Sequence, residues 1–218
     1  MDNQALLLNI ARFCPSTHSL GPGQRAAIWV QGCARRKPCP GCIAPEWLEF
    51  KPNRLVSPAQ LVDQIFESGA PDGLTFSGGE PMEQAEGLAL LARLAKQRKP
   101  EINIISFSGY QYEQLLKSPP NPGVPMLLNQ VDVLVDGPYI HNLNNGLGLR
   151  GSQNQRFLHL TDRLRHVNFE NYPRQVEILL DGNEISMVGI PPLGIESVLE
   201  IFTQQSTLTG KEMEDVRL

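Results

Sequence analysis

Gly73-Leu74-Thr75-Phe76-Ser77 is a short apolar run, and Glu83 to Arg98 follows it with Leu88, Leu91, Ala92 and Ala95 on one helical face. An unbroken apolar run of this length reads as a buried strand, and an apolar stripe at three- and four-residue spacing reads as a helix laid on a sheet. The same unit recurs on both sides. Upstream, Ala26-Ala27-Ile28-Trp29-Val30-Gln31-Gly32 begins after Gly21-Pro22-Gly23 and ends at a glycine, as a buried strand does. Ser57-Pro58-Ala59-Gln60 then supplies an N-cap with proline at the first helical position, and Leu61, Val62, Ile65 and Phe66 follow at helical spacing. Downstream, Ile102 to Phe107 reads as a third strand, Tyr112 to Leu116 as a short helix and Val131 to Val135 as a fourth strand. Parallel neighbours need a crossover, nearly always right-handed, so repeated strand–helix units imply a mainly parallel sheet and an α/β fold class.

Polar clusters stand at or just after the strand ends, at Cys33, Ser77 to Glu80, Ser106 to Tyr110 and Asp136-Gly137. That is the carboxyl edge, where α/β sheets and barrels assemble their sites. The C-terminal part differs in kind. Val176 to Leu180, Asp181-Gly182-Asn183 and Ile185 to Gly189 read as a β-hairpin with a glycine-containing turn, and Gly194 to Gln204 as a terminal helix. Residues 205–210 carry too few apolar side chains to dock firmly. We divide the chain into a core over residues 1–160 and an addition over 161–218 packed on the same domain.

The 218 residues, 41% hydrophobic and 19% charged, are enough for one domain with a real core and leave little room for a second. A net charge of −4 argues against a nucleic-acid surface, which rests on clustered cations. No stretch approaches the roughly eighteen apolar residues of a membrane span, and the N-terminus lacks the order of a secretion signal, so a cytoplasmic protein is expected. His18, His141, His159 and His166 show no ligand spacing, and Trp29 and Trp47 read as core or interface aromatics. No residue is assigned as catalytic.

Cys33, Cys39 and Cys42 form a C-x5-C-x2-C arrangement on the loop that leaves the first strand, flanked by Arg35, Arg36 and Lys37. Crowded thiolates repel one another unless a cation holds them, so the cluster points to a metal. Three ligands are one short for structural zinc, whereas a four-iron cluster on three thiolates keeps one iron open. Cys14, nineteen residues upstream, is the alternative fourth ligand, and a structural zinc loop is the alternative to a cluster. After the second strand, Ser77-Gly78-Gly79-Glu80-Pro81 lets the backbone come close to a ligand and offers a carboxylate to an ammonium group.

Together these two features resemble the radical S-adenosylmethionine (SAM) superfamily. The resemblance implies that Cys33, Cys39 and Cys42 hold a [4Fe-4S] cluster and that Gly78, Gly79 and Glu80 bind SAM. The usual spacing is C-x3-C-x2-C, two residues shorter than here. The residue before the third cysteine is often an aromatic that touches adenine, and Gly41 stands there instead, so adenine contacts come from elsewhere. Gly21-Pro22-Gly23-Gln24-Arg25, Cys39-Pro40-Gly41-Cys42, Phe107 to Glu113, Val133 to Tyr139 and Leu149 to Arg156 narrow the resemblance to the activating proteins of anaerobic ribonucleotide reductases, over roughly residues 20–160.

The implied fold is a partial (β/α) barrel with a mainly parallel sheet, plus the hairpin and helix. The implied activity is reductive SAM cleavage followed by hydrogen abstraction from a polypeptide, with flavodoxin or ferredoxin as reductant and neither nucleic acid nor membrane as partner. Ser108, Asp136, Arg150 and Asn154 are further candidate cofactor contacts. Two uses of the radical fit: activation of a glycyl radical enzyme, or maturation of a ribosomally made peptide, such as backbone excision with a small partner protein. The run Cys42 to Trp47, the longer cysteine spacing and the C-terminal addition lean towards the second. The alternative is a zinc or iron–sulfur scaffold without chemistry.

Overall fold

The structure, a computed structural model, describes residues 6–34, 39–181 and 184–195. Its central sheet has seven strands: β1 (Leu8–Thr17), β2 (Arg25–Val30), β3 (Arg54–Val56), β4 (Gly73–Gly78), β5 (Asn103–Ser108), β6 (Val133–Asp136) and β7 (Arg156–His159). They run in the order β3-β1-β2-β4-β5-β6-β7. The four strands expected from the apolar runs form the parallel centre, β2-β4-β5-β6. Three antiparallel strands that the runs did not announce extend it: β1 and β3 beyond β2, and β7 beyond β6. The sheet is open, with β3 and β7 at its edges.

Four helices connect the strands: α1 (Pro58–Glu67), α2 (Ala85–Arg98), α3 (Tyr112–Lys117) and α4 (Val124–Leu128). α1 starts where the sequence places it, because Ser57 Oγ accepts from Gln60 N while Gln60 Oε1 accepts from Ser57 N. α2 begins two residues later than expected, behind a 3-10 turn over Pro81–Gln84. Leu61, Ile65, Leu88, Leu91 and Leu127 bury one sheet face against Ile28, Val30, Leu74 and Phe76.

The opposite face carries Cys14, Ala27, Trp29, Ile105, Val133 and Val135, and is covered by Leu149, Leu164, Phe169, Val188 and Ile190. Both faces being covered, β2 is buried along its whole length. The last two of these covering residues belong to the hairpin region: β8 (Val176–Asp181) pairs antiparallel with β9 (Glu184–Gly189), close to the expected limits. The helix expected over Gly194 to Gln204 lies, from residue 196 on, outside the described residues, as does the segment 205–210.

At the amino edge of the parallel strands the buried Arg25 donates through Nε to Thr75 Oγ1 (2.7 Å), through Nη1 to Asn103 Oδ1 (2.6 Å) and through Nη2 to the Leu74 carbonyl (2.6 Å). A Cβ on Gly73 would lie 2.3 Å from its Nη1. Gly21 to Arg25 is therefore a structural plug at the end of the sheet opposite the cysteines.

Candidate active site

The carboxyl ends of β2, β4, β5 and β6 open into a cavity of about 450 Å³. Cys33, Cys39 and Cys42 line it, as do Gly78, Gly79, Glu80 and Ser108. Seven of the expected site residues thus meet in one space, although they span more than seventy positions of the chain.

Gly78 and Gly79 serve the framework before any ligand. Gly78 has φ +107°, and a Cβ there would lie 2.4 Å from the Val30 nitrogen; one on Gly79 would lie 2.2 Å from the Gly32 carbonyl oxygen. The space they leave is filled by the backbone that leads into the cysteine loop. Gly79 N donates to Val30 O (2.8 Å), and Glu80 N donates to Gly32 O (2.9 Å). The cysteine loop is tied on its other side, Gly32 N donating to Trp47 O (2.8 Å) and Cys33 N to Leu48 O (3.0 Å).

Glu80 is buried, and its carboxylate accepts from Ser108 Oγ (2.9 Å), Gly109 N (2.7 Å) and Met82 N (3.1 Å). Burial pushes its acid strength down, to a pKa of about 7, and the three hydrogen bonds offset only part of that. A buried carboxylate facing a cavity, with no cationic side chain paired to it among the described residues, is suited to receive a ligand cation. Ser108, a candidate cofactor contact, donates its hydroxyl hydrogen to Glu80 while accepting from Tyr110 N (3.1 Å).

Asp136, Arg150 and Asn154 stand behind the lining rather than in it. Asp136 accepts from Arg156 Nε (2.8 Å) and Tyr112 N (2.7 Å). Arg150 Nη1 donates to the Gln155 carbonyl (2.9 Å), its Nη2 pairs with Glu170, and Asn154 Nδ2 donates to the Pro138 carbonyl (2.7 Å). Gln155, which the sequence did not single out, lines the cavity; its Nε2 donates to Gly137 O (3.0 Å), and Ser152 Oγ accepts from Ile140 N (3.0 Å). Gly151 to Gln155 is a clamp on residues 137–140. It sets Tyr139 into the cavity wall, against Gly151, whose missing Cβ would lie 2.8 Å from Tyr139 Cδ2. Tyr139 in turn meets His141 edge-on at 6.3 Å, and His141 packs on Gly41, which has φ +71°. Among the described residues, Arg150 Nε and Asn154 Oδ1 are buried without a hydrogen-bond partner.

Trp29 and Trp47, read as core aromatics, pack together at 6.0 Å and also line the cavity. Arg12 on β1 and Ser186, Met187, Gly189, Ile190 and Pro191 complete the wall. No motif in the sequence marks these, since β1 and the hairpin reach the site only through tertiary packing.

The donors fit an iron–sulfur cluster better than a single ion. Cys14 is buried in β1 with its thiol on the Ser16 carbonyl (3.2 Å), away from the cavity lining, so it supplies no fourth ligand there. Among the described residues no three His, Cys, Asp or Glu side chains are gathered closely enough to hold one metal ion. A four-iron cube takes each thiolate at a separate corner, so its ligands stand farther apart than those of zinc. Burial also pushes the Cys42 thiol up, so a cationic metal is needed to hold it as thiolate. The flanking basic residues Arg35, Arg36 and Lys37, with Pro38, lie outside the described residues.

The family described as 4Fe-4S single cluster domain matches residues 19–158, well over half of the chain. The chain belongs to that family. Among relatives of this 4Fe-4S single cluster domain protein, the anaerobic ribonucleoside-triphosphate reductase-activating protein of Enterobacteria phage T4 is 31% identical over 160 residues, 71% of this chain and 96% of the relative. The protein of the same name from Escherichia coli K12 is 26% identical over 160 residues, 70% and 99% of the two chains. The pyruvate formate-lyase-activating enzyme of Clostridium pasteurianum is 30% identical over 105 residues, 44% and 43%. The 4Fe-4S single cluster domain here is accordingly a radical SAM enzyme of the activase-like family, with a [4Fe-4S] cluster and SAM as cofactors. The zinc and scaffold alternatives give way to it. No helix among the described residues is long and apolar enough to cross a membrane.

Proposed function

We propose that this chain is a glycyl-radical-enzyme activase: it cleaves SAM reductively and uses the product to take a hydrogen atom from a polypeptide. The observation that carries this is the opening of three cysteines and one buried, cation-seeking carboxylate, Glu80, into a single cavity at the carboxyl edge. Cys33, Cys39 and Cys42 would hold the cluster and Glu80 the SAM ammonium. When bound, the cluster and SAM would supply one-electron chemistry able to take a hydrogen atom, the electron coming from the external reductant and methionine and 5′-deoxyadenosine leaving as products.

The chain's own residues do the positioning. Ser108 and Gly109 N orient the Glu80 carboxylate, and Gly78 and Gly79 bring that turn against the base of the cysteine loop. Asp136 anchors the end of β6, while Arg150 and Asn154 brace the turn that carries Tyr139. Walls from both sheet and hairpin limit water, which a reactive carbon radical requires. The open sheet is the partial (β/α) barrel of this reading, residues 1–160 its core and 161–218 the addition, and flavodoxin or ferredoxin its electron donor.

The hairpin wall favours a second reading, maturation of a peptide, because it lies past residue 158, where the family match ends. Anaerobic reconstitution with iron and sulfide, reduction by dithionite and addition of SAM test the common chemistry. Wild type should form 5′-deoxyadenosine and Cys39→Ala none. Incubation with an anaerobic ribonucleoside-triphosphate reductase then separates the readings: a glycyl radical signal in its electron paramagnetic resonance spectrum supports activation, and 5′-deoxyadenosine with no such signal favours maturation.

A further inference from the structure

The cavity has two chemically different kinds of lining. Beside the thiols and the Glu80 carboxylate, Trp29, Trp47, Met187, Ile190 and Pro191 give it apolar lining, the last three from the hairpin region. Only three charged side chains line the cavity among the described residues: Glu80, Glu46, which is solvent-exposed, and Arg12. The Arg12 guanidinium is already hydrogen-bonded. Its guanidinium donates to Ser186 Oγ and to the Met187 carbonyl (3.2 Å) and lies 5.8 Å from the Trp29 ring centre.

The hairpin is fixed in place as part of this wall. Ser19 Oγ donates to the Val188 carbonyl (3.0 Å), His18 N donates to Glu177 Oε1 (2.6 Å), and Arg174 Nη2 donates to the Arg150 carbonyl (2.6 Å). Val188 and Ile190 are buried against the sheet. Because side chains of the core already occupy the Met187 and Val188 carbonyls, an incoming chain gains little by adding to β9 as a strand; it is recognised through its side chains.

A substrate hydrogen must come within contact distance of the cofactor, so the substrate shares the space that thiols and Glu80 do not claim. We infer that the β8–β9 hairpin makes that space a pocket for an apolar side chain of the polypeptide substrate, next to the reacting residue, with Met187, Ile190, Trp29 and Trp47 as its walls. This rests on the polypeptide substrate proposed above and names the selectivity of the same site. Trp29 and Trp47 lie within the matched residues 19–158 and the hairpin beyond them, so the part of the selectivity that Met187 and Ile190 supply lies outside the family match.

The chain's two tryptophans, Trp29 and Trp47, both line the cavity, so intrinsic emission reports on this pocket. The test titrates reconstituted, SAM-saturated full-length protein with N-acetyl-glycyl-leucinamide and N-acetyl-glycyl-aspartamide under anaerobic conditions. The leucyl probe should give a saturable change with at least tenfold higher affinity than the aspartyl probe. Met187→Lys should reverse that order, and Met187→Leu should keep it. A leucyl probe without saturable effect, or a Met187→Lys protein whose preference stays within twofold of wild type, overturns the inference. SAM affinity is measured on the same samples. Its loss in Met187→Lys alone would make the hairpin a cofactor support and also overturn the inference, whereas its absence in wild type would count against the SAM chemistry and leave the probe titration to decide the pocket.

Discussion

Glu80 carries a measurable signature of its burial. Its native pKa of about 7 lies above the ordinary value of 4.5, so the folded state holds the proton more tightly than the unfolded chain does. For an acid shifted in this direction the stabilising contribution is complete below about pH 4.5 and is lost as pH rises to about 7. The cost of the ionised form is on the order of 3 kcal/mol. The urea midpoint of the ligand-free protein should therefore fall between pH 5 and 7.5, and Glu80→Gln should flatten that fall; an unchanged slope would mean that Glu80 is solvated. Gly79 tests the adjoining turn. Gly79→Ala places a methyl group against the Gly32 carbonyl, and one of the two backbones has to move. We expect a loss of about 2–3 kcal/mol in urea unfolding, together with lower iron content after reconstitution, because Gly32 leads directly into Cys33.

Edge strands are pinned by side chains as well as by ladders, and β7 is the clearest case. Asp136, fully buried at the end of β6, is matched by Arg156 at the start of β7, and Arg156 reaches on to Glu113 in α3. Arg156→Met leaves the Asp136 carboxylate with the Tyr112 amide as its donor among the described residues, and should cost about 2 kcal/mol once the half-exposed position of the arginine is allowed for. Glu113→Gln, on the surface, should leave the unfolding midpoint where it is. The same elements explain what could be read in advance. β2, β4, β5 and β6 are buried on both faces, so their residues form apolar runs that stand out in the sequence. β1 does not, because its register shifts between Ile10 and Arg12 and again between Cys14 and Thr17 break the period of two. β3 and β7 are only three and four residues long, too short for a pattern to stand out. The site divides likewise. Cysteines and Gly-Gly-Glu follow strand ends and were legible, whereas Arg12 and Met187 owe their places to how β1 and the hairpin pack. Arg150 and Asn154 were legible as polar positions of interest but not as a clamp, since a clamp and a ligand demand the same polar residue types.

Across the whole molecule, stability should be divided between a sheet buried on both faces and a two-stranded hairpin held by polar ties and by the burial of Val188 and Ile190. β8 and β9 pair only with each other, and their link to β1 runs through Arg12, Ser19 and the His18 amide. A two-stranded ribbon is marginal by itself, so it opens whenever those ties open. Amides of β4, β5 and β6 should accordingly exchange only through global unfolding, and those of β8 and β9 through a smaller opening. Arg12→Ala removes the donor to Ser186 Oγ and the Met187 carbonyl together with the cation over Trp29. It should speed exchange across β8 and β9 about tenfold, equivalent to roughly 1.4 kcal/mol, while β4 to β6 keep their rates. Equal acceleration in both regions would show one cooperative unit, in which the hairpin is as much a part of the core as β2. Separate acceleration would mean that the wall facing the substrate can yield without loosening the strands that carry Glu80 and lead into Cys33, which lets a polypeptide enter while the cofactor end stays fixed.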